Sequence, residues 1–325
     1  MSYQKSVTIQ LMNEYGKNKI PFLFVIDFEM KQPIVLKLNE VDPSILLFNI
    51  NGKRNYNIDL KPGNPITFEK HPINFEEYKT VFEKVRAEIN AGNTYLLNLT
   101  FPTKINTNFT LDEIFHLSRA EYKLFYKDKF VVFSPESFVK ITHGSISSYP
   151  MKGTIDASIK NAEQIIMSDP KESAEHNTIV DLIRNDLSMI SKNVRVEKFR
   201  YIEKITTTDK TLLQVSSKIT GRLEDDFNSR LGELIFDLLP AGSISGAPKK
   251  KTVEIINEHE IYSRGFYTGV FGYFDGSSLD SGVMIRFIEK TKDGLIYKSG
   301  GGITYMSNPE SEYQELIDKV YVPIV

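Results

Sequence analysis

The 325-residue sequence has no cysteine, no tryptophan and only five histidines. Without cysteine, disulfides, thiolate metal sites and cysteine nucleophiles are excluded together. A reaction that draws nitrogen from glutamine through a cysteine nucleophile therefore cannot be completed by this chain alone. An excess of charge is missing too: 40 basic and 42 acidic residues leave a net charge of −2, and the lysines and arginines are scattered. Nucleic acid is not an expected partner. The opening MSYQKSVTIQ has no apolar run behind a charged start, and the apolar stretch from Pro21 to Ile26 is cut by Asp27. These features predict a cytoplasmic protein without a membrane span. Internal repeats, low-complexity segments and Pro/Gly/Ser-rich linkers are likewise absent.

With 41% hydrophobic and 25% charged residues, the composition is that of an ordinary globular protein with a substantial core. From about Lys5 to Lys70 the sequence reads as short alternating strands, with turns at Asn51-Gly52 and Pro62-Gly63-Asn64-Pro65. Asn74 is placed as an N-cap with Glu77 three residues on, and Tyr78, Val81, Phe82, Val85 and Ile89 recur at helical spacing until Gly92. Strands are expected over Thr94 to Ile105, Lys129 to Phe133, Phe138 to Thr142 and Ser145 to Tyr149. Asp169-Pro170, with Glu172 at the third helical position, opens a helix to about Ile190 on which Glu175, Ile179, Leu182 and Asp186 share one stripe. A further helix over Ala247 to Glu260 precedes a strand from Gly265 to Phe274, an Asp275-Gly276 turn and a strand from Gly282 to Glu289, and Asn308-Pro309 opens the last helix. Strand runs joined by hairpins and broken by helices predict an α+β protein built on antiparallel sheet.

Carboxylates carry the first chemical signal. Glu175 has Ile179 and Leu182 on its helix face, so its charge needs compensation, and Glu312 and Glu315 repel one another at i, i+3 unless a cation lies between them. Oxygen-only ligands suit a hard ion such as magnesium; the alternative is solvated helix surface. The run Ser299-Gly300-Gly301-Gly302-Ile303, placed between a strand at Leu295 to Tyr297 and the last helix, is either an anion cradle of backbone amides or a plain turn. Arg286, inside the apolar strand Val283 to Ile288, is expected to grip a carboxylate, a substrate's or a structural glutamate's. Gly242-Ser-Ile-Ser-Gly246-Ala-Pro-Lys249 fails as a phosphate loop because only three residues separate its glycines and Ala-Pro follows.

Several stretches, in order, resemble the chorismate-binding family, which includes anthranilate synthase component I, aminodeoxychorismate synthase component I and the isochorismate synthases. They are Ser134-Pro-Glu-Ser-Phe138, Pro150-Met-Lys-Gly-Thr154, Ala174-Glu-His-Asn-Thr-Ile-Val-Asp-Leu-Ile-Arg-Asn-Asp-Leu187, Gly242 to Lys249, Arg264-Gly-Phe-Tyr-Thr-Gly269, Gly300-Gly-Gly-Ile303 and Pro309-Glu-Ser-Glu-Tyr-Gln-Glu315. The resemblance implies an anthranilate synthase component I-like fold, with antiparallel sheets flanked by helices around a central cleft. It divides the chain into a shortened β-rich region, 1–73, and a chorismate-binding catalytic region, 74–325, within one structural domain.

By the same resemblance Glu175, Glu312 and Glu315 are the Mg2+ ligands. Arg286, Tyr267, Gly153, Thr154, Ser245, Gly300, Gly301, Gly302 and Lys319 contact substrate, and Glu136 is the general acid or base. Lys152, in Pro-Met-Lys-Gly-Thr, matches the nucleophilic lysine of aminodeoxychorismate synthases, with a pKa expected to be lowered by desolvation and by the metal. Leu96 replaces the lysine that activates water in isochorismate synthases, and Gln214 stands where a histidine is tied to pyruvate elimination. The implied activity is conversion of chorismate and ammonia to 4-amino-4-deoxychorismate, toward para-aminobenzoate and folate. Its partners are a glutamine amidotransferase supplying ammonia and a downstream aminodeoxychorismate lyase. The alternatives are anthranilate or isochorismate synthesis, or a non-catalytic chorismate-binding subunit. The short N-terminal region shows nothing that matches a tryptophan effector pocket.

Overall fold

A computed structural model describes residues 4–57, 65, 67–206 and 211–324. Two nine-stranded antiparallel sheets dominate it. The first runs, in spatial order, Met151–Asp156, Thr211–Arg222, Ser145–Ser148, Ser137–Thr142, Leu279–Val283, Val270–Phe274, Phe22–Ile26 and Ile34–Lys37, with Lys192–Thr206 also paired to Thr211–Arg222. The second runs Gly246–Ala247, Leu96–Thr107, Gly294–Ile303, Phe287–Thr291, Phe130–Ser134, Tyr122–Tyr126, Leu46–Ile50 and Lys53–Arg54, with Phe68–His71 on Leu96–Thr107. The α+β class and antiparallel sheets expected from the sequence are thus present.

Period-two side chains explain the layering. In Phe22–Ile26, Phe22, Phe24 and Ile26 join the core beneath the helices, while Leu23 and Val25 face a second core shared with Phe48, Leu124 and Phe287. In Phe130–Ser134, Phe130 and Val132 enter that shared core, and Val131 and Phe133 enter a third one on the far face of the second sheet. Both strands are buried on both faces, which is why Phe22–Ile26 and the run from Phe130 to Phe133 are continuously apolar.

The capped helices form where expected. Asn74, Asp169 and Asn308 accept from the backbone N–H groups of Glu77, Glu172 and Ser311, opening Phe75–Asn90, Pro170–Ile190 and Pro309–Asp318. The stripe on the second of these is buried throughout, at Glu175, Ile179, Leu182 and Asp186. An aromatic contact between Phe75 and Tyr313, rings 5.3 Å apart, and a hydrogen bond from Tyr313 Oη to the Ile73 carbonyl seat the last helix on the first.

Four local readings change. Lys5–Lys17 is a helix, not strand: Thr8, Met12 and Tyr15 are buried at helical spacing, but Gln4 supplies no side-chain cap and the β-branched Val7-Thr8-Ile9 imitates a strand. The helix predicted from Ala247 starts at Lys249, because Gly246–Ala247 pairs with Leu96–Leu97. The strand predicted from Gly265 starts at Val270, after turns closed by Tyr267 N–H to Arg264 and Gly269 N–H to Phe266. The strand predicted over Gly282 to Glu289 breaks at Met284 to Arg286, where the chain leaves the first sheet for the second. Part of the predicted Pro62-Gly63-Asn64-Pro65 turn lies outside the described residues.

The N-terminal helix crosses the Leu231–Asp237 helix at two glycines. A Cβ on Gly16 would stand 2.0 Å from the Asn228 carbonyl oxygen, and one on Gly232 would stand 2.4 Å from that of Ile9. Backbone cannot yield as a side-chain tip can. Gly16→Ala is therefore expected to cost about 1–3 kcal/mol of stability despite its better helix propensity, read as a lower urea midpoint at unchanged slope.

Candidate active site

Two of the chain's crossings between the sheets lie side by side, at Pro135-Glu136 after Phe130–Ser134 and at Met284 to Arg286 after Leu279–Val283, where Val283 N–H donates to the Glu136 carbonyl and Phe133 N–H to that of Arg286. Both crossings, together with the glycine-rich end of Gly294–Ile303, line a cavity of about 330 Å³. Arg286 stands at the second crossing with φ +53, so it is not held in a strand as its apolar neighbours suggested. Its guanidinium lies 5.4 Å from the Tyr321 ring centroid, and its buried Nε has no hydrogen-bond partner. A buried cationic donor without an acceptor is suited to an incoming carboxylate. Tyr267, Gly153, Thr154 and Ser245 line the same cavity. Ser245 spends its hydroxyl on the Ala241 carbonyl, 2.8 Å away.

The glycine run is the end of a strand rather than a loop: Gly300, Gly301 and Gly302 pair with Thr100, Leu99 and Asn98. A Cβ at Gly300 would meet the Leu99 carbonyl at 2.3 Å. Thr100 N–H donates instead to Glu260, the Asn98 carbonyl accepts from Arg264, and the Gly300 carbonyl accepts from Lys319. These alternate pairs therefore lie outside the ladder, and the backbone groups of Gly300 and Gly302 face away from Leu96–Thr107, whereas those of Gly301 face into the pairing. The Glu260–Arg264 ion pair, 2.6 Å long and almost wholly buried, closes the other side of that strand.

Glutamates gather against the glycines. A Cβ at Gly302 would lie 3.9 Å from Glu175 Oε2 and 3.8 Å from Lys152 Nζ, and one at Gly301 would lie 3.5 Å from Glu312 Oε2 and 3.7 Å from Glu315 Oε1. Lys152 forms an ion pair with Glu175, and Lys319 pairs with Glu315 at 2.6 Å. Sequence reasoning missed a fourth carboxylate, Glu172, one turn before Glu175. It lines the cavity, and its buried Oε2 has no hydrogen-bond partner. Its spacing from Glu175 repeats that of Glu312 from Glu315, which was the available signal. Among the described residues no group of three or more His, Cys, Asp or Glu side chains is drawn together as a metal cluster. The donor type and the orphaned Glu172 oxygen nonetheless fit a hard divalent cation, with two lysines now supplying part of the countercharge.

Proton affinities follow from burial and these neighbours. Burial raises the Glu136 pKa above the usual carboxylate value, against the pull of the Ser243 hydroxyl, Lys152, Arg286 and Lys319. Burial also raises Glu172, with Glu175 and Glu315 adding to it against Lys152. For Lys152 burial acts downward, but Glu175, Glu172 and Glu315 outweigh it, so its pKa is raised. The expected lowering of Lys152 is not found in this arrangement, because the carboxylates hold its proton. Lys319 moves down, through burial and the charge of Lys152 against the pull of Glu315. Leu96 is buried in the cavity wall, and Gln214 lines it with its amide nitrogen 3.2 Å from the Met151 sulfur.

The pattern of chorismate binding enzymes matches residues 34–324. The chain belongs to the chorismate-binding family. It is 51% identical to an uncharacterised PabA-like protein of Pasteurella multocida over 97% of this chain and 98% of that one. Aminodeoxychorismate synthase component 1 of Salmonella typhimurium is 32% identical over 75% of this chain and 56% of its own length. Anthranilate synthase component 1 of Spirochaeta aurantia is 33% identical over 75% and 53%. The chain thus matches little more than half the length of those two synthases. The fold is shared with the menaquinone-specific isochorismate synthase of Escherichia coli, TM-score 0.74 at 17% identity over 98% of this chain and 82% of that one. It is also shared with anthranilate synthase component I of Streptococcus pneumoniae, TM-score 0.66 at 29% identity over 79% and 59%. As a member of this family the chain is an enzyme that acts on chorismate, and among its described residues no helix is long and apolar enough to cross a membrane.

Proposed function

We propose that this family member is component I of an aminodeoxychorismate synthase, converting chorismate and ammonia to 4-amino-4-deoxychorismate with the enolpyruvyl group retained. Relatives of two activities stand at 32% and 33% identity, so identity does not choose between them. The observation that carries the reading is the placement of Lys152 and Glu136 in one cavity whose wall includes Leu96 and Gln214. A leucine cannot activate water, and a glutamine cannot cycle a proton near neutral pH as an imidazole does, which disfavours isochorismate formation and pyruvate elimination.

Arg286, Tyr267, Lys319 and the off-ladder amides of Gly300 and Gly302 would hold the substrate's carboxylates, with Gly153, Thr154 and Ser245 shaping the wall; Gly301, whose amide faces the ladder, contributes by having no side chain. Glu175, Glu312 and Glu315, with Glu172 beside them, would hold Mg2+. When bound, the ion supplies a positive charge that clamps and polarises a carboxylate. We assign the protein to para-aminobenzoate and folate synthesis, upstream of a lyase.

Nitrogen delivery gives a direct test. Because the chain has no cysteine, the pure protein with chorismate and magnesium is expected to use ammonium and not glutamine, and a separate glutamine amidotransferase should confer glutamine use. Mass spectrometry of the product identifies 4-amino-4-deoxychorismate. Efficient glutamine use by the pure chain, or stoichiometric pyruvate release, would refute the reading.

A further inference from the structure

The segment Gly242 to Lys249 looked like a failed phosphate loop, and the reaction outlined above gives most of it no task. Its second residue touches the acid–base group: Ser243 Oγ donates to Glu136 Oε1 at 2.6 Å. Among the described residues this is the sole hydrogen bond to that carboxylate, so Oε2 has no protein donor. We propose that Ser243 is a positioning residue for Glu136, its hydroxyl engaging one carboxylate oxygen so that the other carries the exchangeable proton into the cavity. This rests on the reading of Glu136 as the acid–base group and adds the device that orients it.

The serine is itself fixed from several sides. Before it, Gly242 packs against the Pro170–Ile190 helix so closely that a Cβ would lie 2.9 Å from both Asp186 Oδ2 and Leu182, and Lys249 pairs with the same Asp186 at 2.9 Å. After it, the Ile244 carbonyl accepts from Arg264 Nη1 at 2.9 Å and Asn98 Nδ2 at 3.1 Å. Gly246, at φ +135, then pairs with Leu97, and a Cβ there would stand 1.9 Å from the Leu96 carbonyl oxygen. A backbone tied on both sides fixes where the Ser243 Cα–Cβ bond points, and the rotamer that reaches Glu136 completes the placement of the hydroxyl.

The chemistry gives the sign. The bond from Ser243 favours the ionised carboxylate against the burial that disfavours it. Removing the hydroxyl should move the titration upward, and a reaction that needs the protonated acid should then keep its rate to higher pH. The test follows the Glu136 carboxyl by infrared difference titration of the full chain, its band assigned by loss in Glu136→Gln. Ser243→Ala is expected to shift that titration upward by about one pH unit. It should lower kcat on the order of tenfold to a hundredfold with KM little changed, and move the alkaline limb of kcat with the band. Ser243→Thr, which keeps a hydroxyl, should restore both. A titration unmoved in Ser243→Ala overturns the inference whether or not the protein is active, as does a moved titration with an unmoved kcat limb. Absence of chorismate turnover by the parent protein would instead sink the functional reading, leaving the titration to decide the bond.

Discussion

Lys152→Ala is expected to remove most ammonia-dependent turnover, by at least about a hundredfold, while the parent enzyme given chorismate without ammonia accumulates a covalent adduct. The ring hydroxyl to be replaced is a poor leaving group, and dilute ammonia would have to enter a crowded cavity. A tethered amine makes the first displacement intramolecular, where positioning is worth roughly 7–11 kcal/mol. In the proposed course, neutral Lys152 adds to the ring with a shift of the double bond, the ring C–O bond breaks, and the hydroxyl leaves as water with the proton of Glu136. The proton that the amine sheds on bonding returns to the ionised Glu136. Ammonia then attacks the original carbon, the double bond shifts back, and the bond to lysine breaks as Glu136 protonates the departing lysine nitrogen and takes the proton that the new amine loses. The intermediate is chorismate joined to the protein with loss of one water, a mass that intact-protein spectrometry reads. In the structure the amine is paired with Glu175 and its pKa is raised, so it becomes nucleophilic only when the surrounding carboxylate charge is neutralised elsewhere. No adduct, together with near-normal turnover by Lys152→Ala, would show that ammonia attacks directly and that the lysine shapes the pocket.

That charge state shows where sequence stops being informative. Helices with an oxygen-bearing N-cap could be placed to within a residue or two because Asn74, Asp169 and Asn308 satisfy local donors, and local chemistry is written locally. Lys5–Lys17 has no such cap, and its position depends on close approach to a helix more than two hundred residues away, so its β-branched start misled. The glycine run was taken for a loop because glycine has poor strand propensity. It is strand, paired with Thr100 to Asn98, and at Gly300 only glycine fits because a Cβ would lie 2.3 Å from the Leu99 carbonyl oxygen.

Within the site, residue types and order were legible and electrostatics were not. Glu172 was absorbed into the helix-start signal at Asp169-Pro170, although its unpartnered oxygen lies against Gly153 in the cavity wall. The Lys152 pKa was judged from desolvation and a nearby metal, both of which lower it, whereas the carboxylates that raise it come from two helices that only the fold brings beside it. The break at Arg286 was hidden for a related reason. A chain passing from one buried sheet to another stays apolar throughout, and periodicity carries no mark of the crossing.

Glu175→Gln and Glu315→Gln are each expected to abolish magnesium-dependent turnover at ordinary magnesium concentrations, with the fold largely kept. Glutamine preserves the shape of the side chain but removes an anionic ligand, and changes even to outer ligands of metal sites cost about 10–100-fold in affinity. Glu175→Gln has two opposed effects. It deprives Lys152 of its ion-pair partner, which lowers the amine's pKa and favours the nucleophilic form, and it removes a charge from the cation site. If releasing the lysine were the larger effect, turnover at saturating magnesium would rise; if metal affinity dominates, as expected, it falls and the magnesium requirement climbs. Glu315→Gln separates the two, since that carboxylate is paired with Lys319 and influences Lys152 only at a distance. Folding should survive in Glu175→Gln because Lys152, a quarter exposed, still has Glu172 and Glu315 nearby. A readout independent of activity completes the test. Magnesium binding to the folded chain should raise the Tm of the parent protein by mass action, and each substitution should shrink that rise. Normal turnover at low magnesium in either variant, or an undiminished magnesium-induced rise in Tm, would show that these glutamates are not the ligands and that Lys152 and Lys319 are their permanent partners.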